Sequence, residues 1–137
     1  VIYVTKEFSF SAAHRLPNYD GKCQRLHGHT WRLVVTVGSK KLIQSGPHQG
    51  MAVDFNELAA LVNSFIVERL DHHDLNDTMG DNPTAEILAQ NIYHVLKNLI
   101  EERYERRLFL YAVEIWESPT SKVIYTPDPV LFPYCEE

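Results

Sequence analysis

Cysteine is scarce in this 137-residue chain: there are two, Cys23 and Cys135, far apart in sequence. Two cysteines cannot build a disulfide scaffold, and a chain of this size does not need one. No apolar run approaches the length of a membrane span, and no secretory-leader pattern opens the sequence. The expected setting is a reducing cytoplasm, with no membrane partner. Positive charge is in deficit too, with 13 Lys and Arg against 18 Asp and Glu and a formal net charge of −5. Neutralising phosphates along a nucleic acid needs a basic face, so the balance argues against that partner, although a local basic pocket could still hold a small phosphorylated substrate. Internal repeats and low-complexity segments are also missing. What remains is an ordinary globular composition, 45% hydrophobic and 23% charged, of a size for one domain over residues 1–137.

Periodicity gives the order of elements. Residues from Ile2 to about Ala13 are β-prone, and Phe8-Ser9-Phe10-Ser11 alternates as a half-buried strand does. A turn-rich stretch, 17–22, leads to a second strand from His27 to Gly38 and then a polar loop over 39–50. Asp54 with Glu57 resembles a capping box, followed by Phe55, Leu58, Val62 and Phe65 at helical spacing, which predicts a helix reaching about Leu70. A loop over 71–82 precedes a second helix opened by Pro83-Thr84, with Leu88, Ile92, Val95 and Leu99 as its apolar stripe. A charged turn over 101–107 and strands near 108–117 and 123–126 complete the chain. The pattern is β-β-α-α-β-β, an α+β domain with two hairpins in one antiparallel sheet and both helices on one face. In the third strand both parities are largely apolar: Leu108, Leu110, Ala112 and Trp116 on one, Phe109, Tyr111, Val113 and Ile115 on the other. Two helices cover one face, which predicts that the other meets a second subunit.

The chemistry-bearing residues fall at the strand ends. His27-Gly28-His29 sets two imidazoles on one side of a strand, and His14 supplies a third if the first strand pairs with the second. Three neutral histidines with an open fourth position are the pattern of a catalytic zinc; the alternative is surface histidines beside a turn. Cys23 stands between Lys22 and Arg25, and a cysteine among cations and near a metal is one whose thiolate serves as a base. Three readings of it stay open: a general base, an inert loop thiol, or a fourth ligand that closes the site. Asp71-His72 is a carboxylate–imidazole pair of the kind used in proton transfer, or a solvated loop cluster. Glu117 ends a strand whose neighbours are apolar, where it could accept two hydrogen bonds from an amino-pyrimidine edge. Glu86, near a helix start, also suits the helix dipole. His48 and His94 show no partner pattern, and Cys135 has no role.

Read together, six blocks resemble the 6-pyruvoyl-tetrahydropterin synthase family, which includes the 6-carboxytetrahydropterin synthases. They are Phe8 to Leu16, Cys23 to His29, Val53-Asp54-Phe55, Leu70 to His73, Asn82 to Glu86, and the strand ending at Glu117. They follow in family order up to about Tyr125, and a tail over 126–137 lies beyond the resemblance. The resemblance implies a tunnelling fold, in which a four-stranded antiparallel sheet with two outer helices assembles into an oligomeric barrel. It implies a homo-oligomer, usually a hexamer of two stacked trimers, with active sites between subunits. It assigns zinc to His14, His27 and His29, and the general base to Cys23. Asp71 with His72 becomes a second proton-transfer unit supplied by a neighbouring subunit. Glu117 becomes the pterin anchor, with Thr84 and Glu86 as further pocket residues; Arg25, with Arg15 and Lys22, is set near the triphosphate by charge and proximity. The Cys-x-x-x-His-Gly-His spacing and the run Leu70 to Asn76 resemble the queuosine-pathway branch. That branch converts 7,8-dihydroneopterin triphosphate to 6-carboxy-5,6,7,8-tetrahydropterin with release of triphosphate and acetaldehyde. The alternatives are the pyruvoyl-forming synthase and a non-catalytic, zinc-stabilised pterin-binding module.

Overall fold

The computed structural model describes residues 1–127, so Cys135 and nearly all of the tail lie outside the described residues. Strands β1 (Ile2–His14), β2 (His27–Ser39), β3 (Leu108–Ser118) and β4 (Ser121–Tyr125) form one antiparallel sheet in the order β1-β2-β3-β4. Between β2 and β3 run α1 (Phe55–Val62), a π-helical turn (Asn63–Val67), a closing turn (Glu68–Leu70), the short α2 (Leu75–Thr78) and the long α3 (Ala85–Arg103). The β-β-α-α-β-β order and the tunnelling-fold architecture stand, with α2 as an added single turn where the sequence reads as loop. None of the helices in the described residues is long and apolar enough to cross a membrane.

Asp54 caps α1 by accepting from the Asn56 N–H at 2.7 Å, which satisfies one of the open donors of a helix start. Phe55 is largely exposed, and the buried positions of this segment are Leu58, Val62, Ile66 and Leu70. A spacing of four over-rotates an α-helix by about 40° per step, and the wider π turn takes up part of that drift. In α3 the buried face is Ala85, Leu88, Ala89, Ile92, Tyr93, Leu96 and Ile100, while Val95 is 44% exposed. The stripe read from sequence drifted off this face at Val95, because apolar residues also occupy its flank.

The largest departure is in β3. Thr36 pairs with Ala112 but Val37 pairs with Leu110, so Tyr111 is an extra residue in the ladder. A bulge inverts the parity of everything beyond it. Leu108 and Leu110 therefore share the helix-covered core with Val113 and Ile115, against Phe8, Phe10, Trp31, Leu33, Val35 and Val37. Neither parity read from the sequence is the inward face over the whole strand.

The open face is also less apolar than expected. Tyr3 packs on Phe109 and Tyr111 at one end, where a Cβ on Gly38 would push the Phe109 ring aside. Beyond them polar pairs surround the buried Val34 and Ala112. Thr5 hydrogen-bonds Thr36, Glu7 pairs with Arg32, and Lys122 pairs with Glu114. Arg32 and Lys122 both lie over the Trp116 ring. A face of ion pairs and cation–π contacts is compatible with water, so it does not by itself demand a covering subunit.

Candidate metal centre and its flanking clefts

The β1–β2 register sets His14 opposite His27 and Ala12 opposite His29. All three imidazoles point to the helix-covered side at one end of the sheet, with ring centroids 4.6, 4.8 and 5.1 Å apart. His14 is fully buried. Its Nδ1 is 2.8 Å from the Pro83 carbonyl, and His27 Nδ1 is 2.7 Å from the Arg25 carbonyl. A carbonyl only accepts, so both Nδ1 atoms carry the proton and both Nε2 atoms keep a free lone pair. The Nε2 atoms of His14, His27 and His29 are all buried and make no hydrogen bond; a carboxylate oxygen approaches closely only at His29. Such atoms gathered in one spot are costly unless an ion collects them.

Glu117 completes the group. The ligand atoms of His14, His27, His29 and Glu117 lie within 4.8 Å of one another, and the Glu117 Oε1 is 3.1 Å from His29 Nε2. The β3 bulge has brought this carboxylate onto the histidine side. Burial, opposed by Glu117 and reinforced by the neighbouring His14 and His27, lowers the His29 pKa and favours its neutral, ligating form. Trp31 is the floor: wholly buried, it donates its indole N–H to the Ala12 carbonyl at 3.1 Å and meets His14 and His29 edge-on at 5.0 and 5.2 Å. The donor set fits a divalent ion with room for substrate or water.

Asp71 and His72 do form a pair, with His72 Nδ1 2.8 Å from Asp71 Oδ2. Adjacent side chains normally diverge; here His72 adopts a left-handed φ of 61° that turns its ring back. The segment is bound to the outer edge of β1. Ser11 N–H donates to Asp71 Oδ1 (2.8 Å), His72 N–H to the Ser11 carbonyl (2.6 Å), and Ala13 N–H to the His73 carbonyl (3.1 Å). The Ser11 N–H first, then His72, holds the Asp71 carboxyl below its ordinary pKa. Asn76 clamps the next residue along, accepting from the Arg15 N–H at 2.8 Å and donating to its carbonyl at 3.0 Å. The segment over 71–83 thus holds Asp71-His72 at one end and the His14 acceptor Pro83 at the other.

Two clefts of about 560 Å³ each meet at Gly28, His29 and Thr30. One is bordered by Ser11, Ala13, His72 and Asp74, the other by Arg32, Trp116, Glu117 and Pro119. A Cβ on Gly28 would meet nothing closer than 3.9 Å, so the space it leaves open belongs to the clefts.

The remaining sites predicted from sequence are more peripheral. Cys23 is a half-buried free thiol in a 3₁₀ turn (Lys22–Gln24), and it is not in the four-residue ligand group. Thr84 caps α3 by accepting from the Ile87 N–H at 3.2 Å, and Glu86 is exposed in the first turn of that helix. Neither borders the clefts. Arg15, Lys22 and Arg25 are exposed, and none of them borders either cleft. Trp31, Asn76, Pro83 and the Arg25 carbonyl escaped sequence reasoning. Asn76 and Pro83 carried a signal, as the end of the run Leu70 to Asn76 and as part of the block Asn82 to Glu86.

Fold and site together define an α+β enzyme domain with a histidine-rich metal group at one end of a four-stranded sheet. The family model described as 6-pyruvoyl tetrahydropterin synthase matches residues 3–128. The 6-carboxy-5,6,7,8-tetrahydropterin synthase of Synechocystis is 41% identical over 126 residues, 91% of this chain and 92% of that protein. The protein of the same name from Haemophilus influenzae is 33% identical, covering 86% and 94%. Among solved structures, the Caenorhabditis elegans 6-pyruvoyl tetrahydropterin synthase superposes with a TM-score of 0.73 at 26% identity, over 93% of this chain and 96% of that one. The chain belongs to the 6-pyruvoyl tetrahydropterin synthase family, and it is an enzyme of the lyase class.

Proposed function

We propose that the protein is a zinc-dependent 6-carboxy-5,6,7,8-tetrahydropterin synthase acting on 7,8-dihydroneopterin triphosphate, with triphosphate and acetaldehyde released. The observation that carries the reading is the set of three buried Nε2 atoms that make no hydrogen bond, gathered beside Glu117. The names of the Synechocystis and Haemophilus relatives and the short gap from Cys23 to His27 favour the carboxy-forming branch. His14, His27 and His29 would hold the metal, which when bound supplies a Lewis acid for the oxygens of the substrate side chain.

The protein's own groups then have separate tasks. Cys23 takes a proton from the substrate side chain as its thiolate. Asp71 accepts from His72 Nδ1, which leaves His72 Nε2 free to exchange a proton. Glu117 accepts from the amino-pyrimidine edge of the pterin, a two-point contact that a carboxylate makes well. Thr84, Glu86 and Arg25 remain weaker candidates for substrate contact. A homo-oligomer is supported by the outer edge of β4, which pairs only with β3 among the described residues; Asp71-His72, whose His72 borders the same cleft as His29 within one chain, would serve a neighbouring subunit's site in that assembly.

The test is product analysis by mass spectrometry with metal-loaded protein and 7,8-dihydroneopterin triphosphate. A 6-carboxytetrahydropterin product with acetaldehyde is expected. A 6-pyruvoyl product would move the enzyme to the other branch. Retention of substrate without turnover, at full metal occupancy, would leave a pterin-binding module instead.

A further inference from the structure

The end of the sheet away from the histidines concentrates positive charge. Ser39 closes β2 opposite Leu108 at the start of β3, so Lys40-Lys41 and Arg106-Arg107 leave the sheet side by side. With Phe109 these four cations line a recess of about 300 Å³. The recess is built. Ser39, 1% exposed, donates its hydroxyl to the Lys41 carbonyl at 2.6 Å and lies 3.5 Å from the Arg107 carbonyl, tying the two loops together. The Arg107 guanidinium is fixed by the Ala52 carbonyl. Glu105 and Arg106 both hold left-handed backbone, φ 53° and 61°, which non-glycine residues adopt at a cost.

Like charges gathered in one recess repel, and ordinary surfaces relieve this with carboxylates. Here they do not. Among the described residues none of Lys40, Lys41, Arg106 and Arg107 has an Asp or Glu oxygen within ion-pair distance, although the chain carries more acids than bases. A bound anion would supply the counter-charge that the described carboxylates do not. Guanidinium forks and ammonium groups together suit phosphate oxygens, and four positive charges match a multivalent phosphate better than a single carboxylate.

We propose that this recess is a second anion site, which takes a small molecule bearing a di- or triphosphate group. The thirteen residues of β2 put it about 40 Å from the histidines at an ordinary strand rise, beyond the reach of one substrate bound at both. The proposal does not rest on the pterin reading.

Calorimetric titration of the full-length, metal-loaded protein with inorganic triphosphate tests it, with metal content measured before and after. The wild type and His27→Ala are expected to bind alike. The double variant Lys41→Glu/Arg106→Glu is expected to bind roughly 100-fold more weakly, having lost two charge-assisted contacts. If that variant does not fold, Lys40→Gln/Lys41→Gln replaces exposed side chains only, and a clear weakening is still expected. Unaltered affinity in these variants overturns the proposal. So does the absence of binding to wild type, or binding that disappears in His27→Ala, which would place the triphosphate at the metal centre.

Discussion

The sharpest consequence of the proposed metal centre concerns stability, since the Nε2 atoms of His14, His27 and His29 are buried and make no hydrogen bond. A buried polar atom without a partner costs about 1–3 kcal/mol; with Glu117 beside His29, the nitrogens of His14 and His27 leave the metal-free fold with a cost of roughly 2–6 kcal/mol. A metal that binds only the folded chain restores stability by mass action, about 2.7 kcal/mol at 100 Kd and about 4.1 kcal/mol at 1,000 Kd. For a chain of this size that is a rise in Tm of about 10 °C or more. Replacing His27 with Ala removes one ligand and one orphaned nitrogen together. The variant should therefore lose most of its response to zinc, while its metal-free form falls by less than an ordinary buried truncation would suggest. Differential scanning calorimetry of wild type and His27→Ala, each with chelator and with excess zinc, reads both effects. A zinc-dependent rise in His27→Ala equal to that of wild type would refute the assignment, because the ion would then be held elsewhere.

Three further outcomes follow from particular contacts. Cys23→Ala should reduce turnover by about 10²–10⁴-fold, the usual worth of a general base, with metal content by mass spectrometry unchanged; loss of metal would make Cys23 a ligand. The folded Asp71 carboxyl has a lowered pKa, so its contribution is complete above its unfolded value and is lost as pH falls through the lower folded one. Asp71→Asn should accordingly flatten the pH dependence of denaturant stability below about pH 4, and an unchanged acid limb would show that the Ser11 and His72 contacts contribute nothing. Gly38→Ala should cost about 1–3 kcal/mol by overpacking against Phe109, read as a shift in urea midpoint. Gly28→Ala, with no neighbour closer than 3.9 Å, should keep the wild-type midpoint and lose substrate affinity instead; equal midpoints for both variants would contradict the Phe109 packing.

The metal group and its supports are also coupled through the chain. Pro83 orients His14, and Asp71 and Asn76 fasten the same connecting segment to the edge of β1. Distortion of that segment acts on both His14 and the Asp71-His72 pair, so the two functions proposed for them share one mechanical support.

The sequence by itself determined the element order, the one-sided layering of helices, and the three histidines that the structure gathers into a group able to hold a metal. These follow from local rules: period-two and helical hydrophobic spacing, the Asp54 cap, and the geometry that puts His27 and His29 on one side of a strand. The Asp71-His72 pair was legible as chemistry but not as geometry, because only the left-handed His72 and its contacts with Ser11 bring the two side chains together. Tertiary structure alone decided the inward face of β3. One extra residue at Tyr111 reverses side-chain parity, which carries Glu117 to the histidine side, and no local propensity marks that bulge. It also decided which flank of α3 is buried, since Val95 and Leu96 are equally apolar and only the packing against the sheet separates them. The basic recess is of the same kind: Lys40-Lys41 and Arg106-Arg107 are 65 residues apart in the numbering, and the pairing of β2 with β3 makes them neighbours.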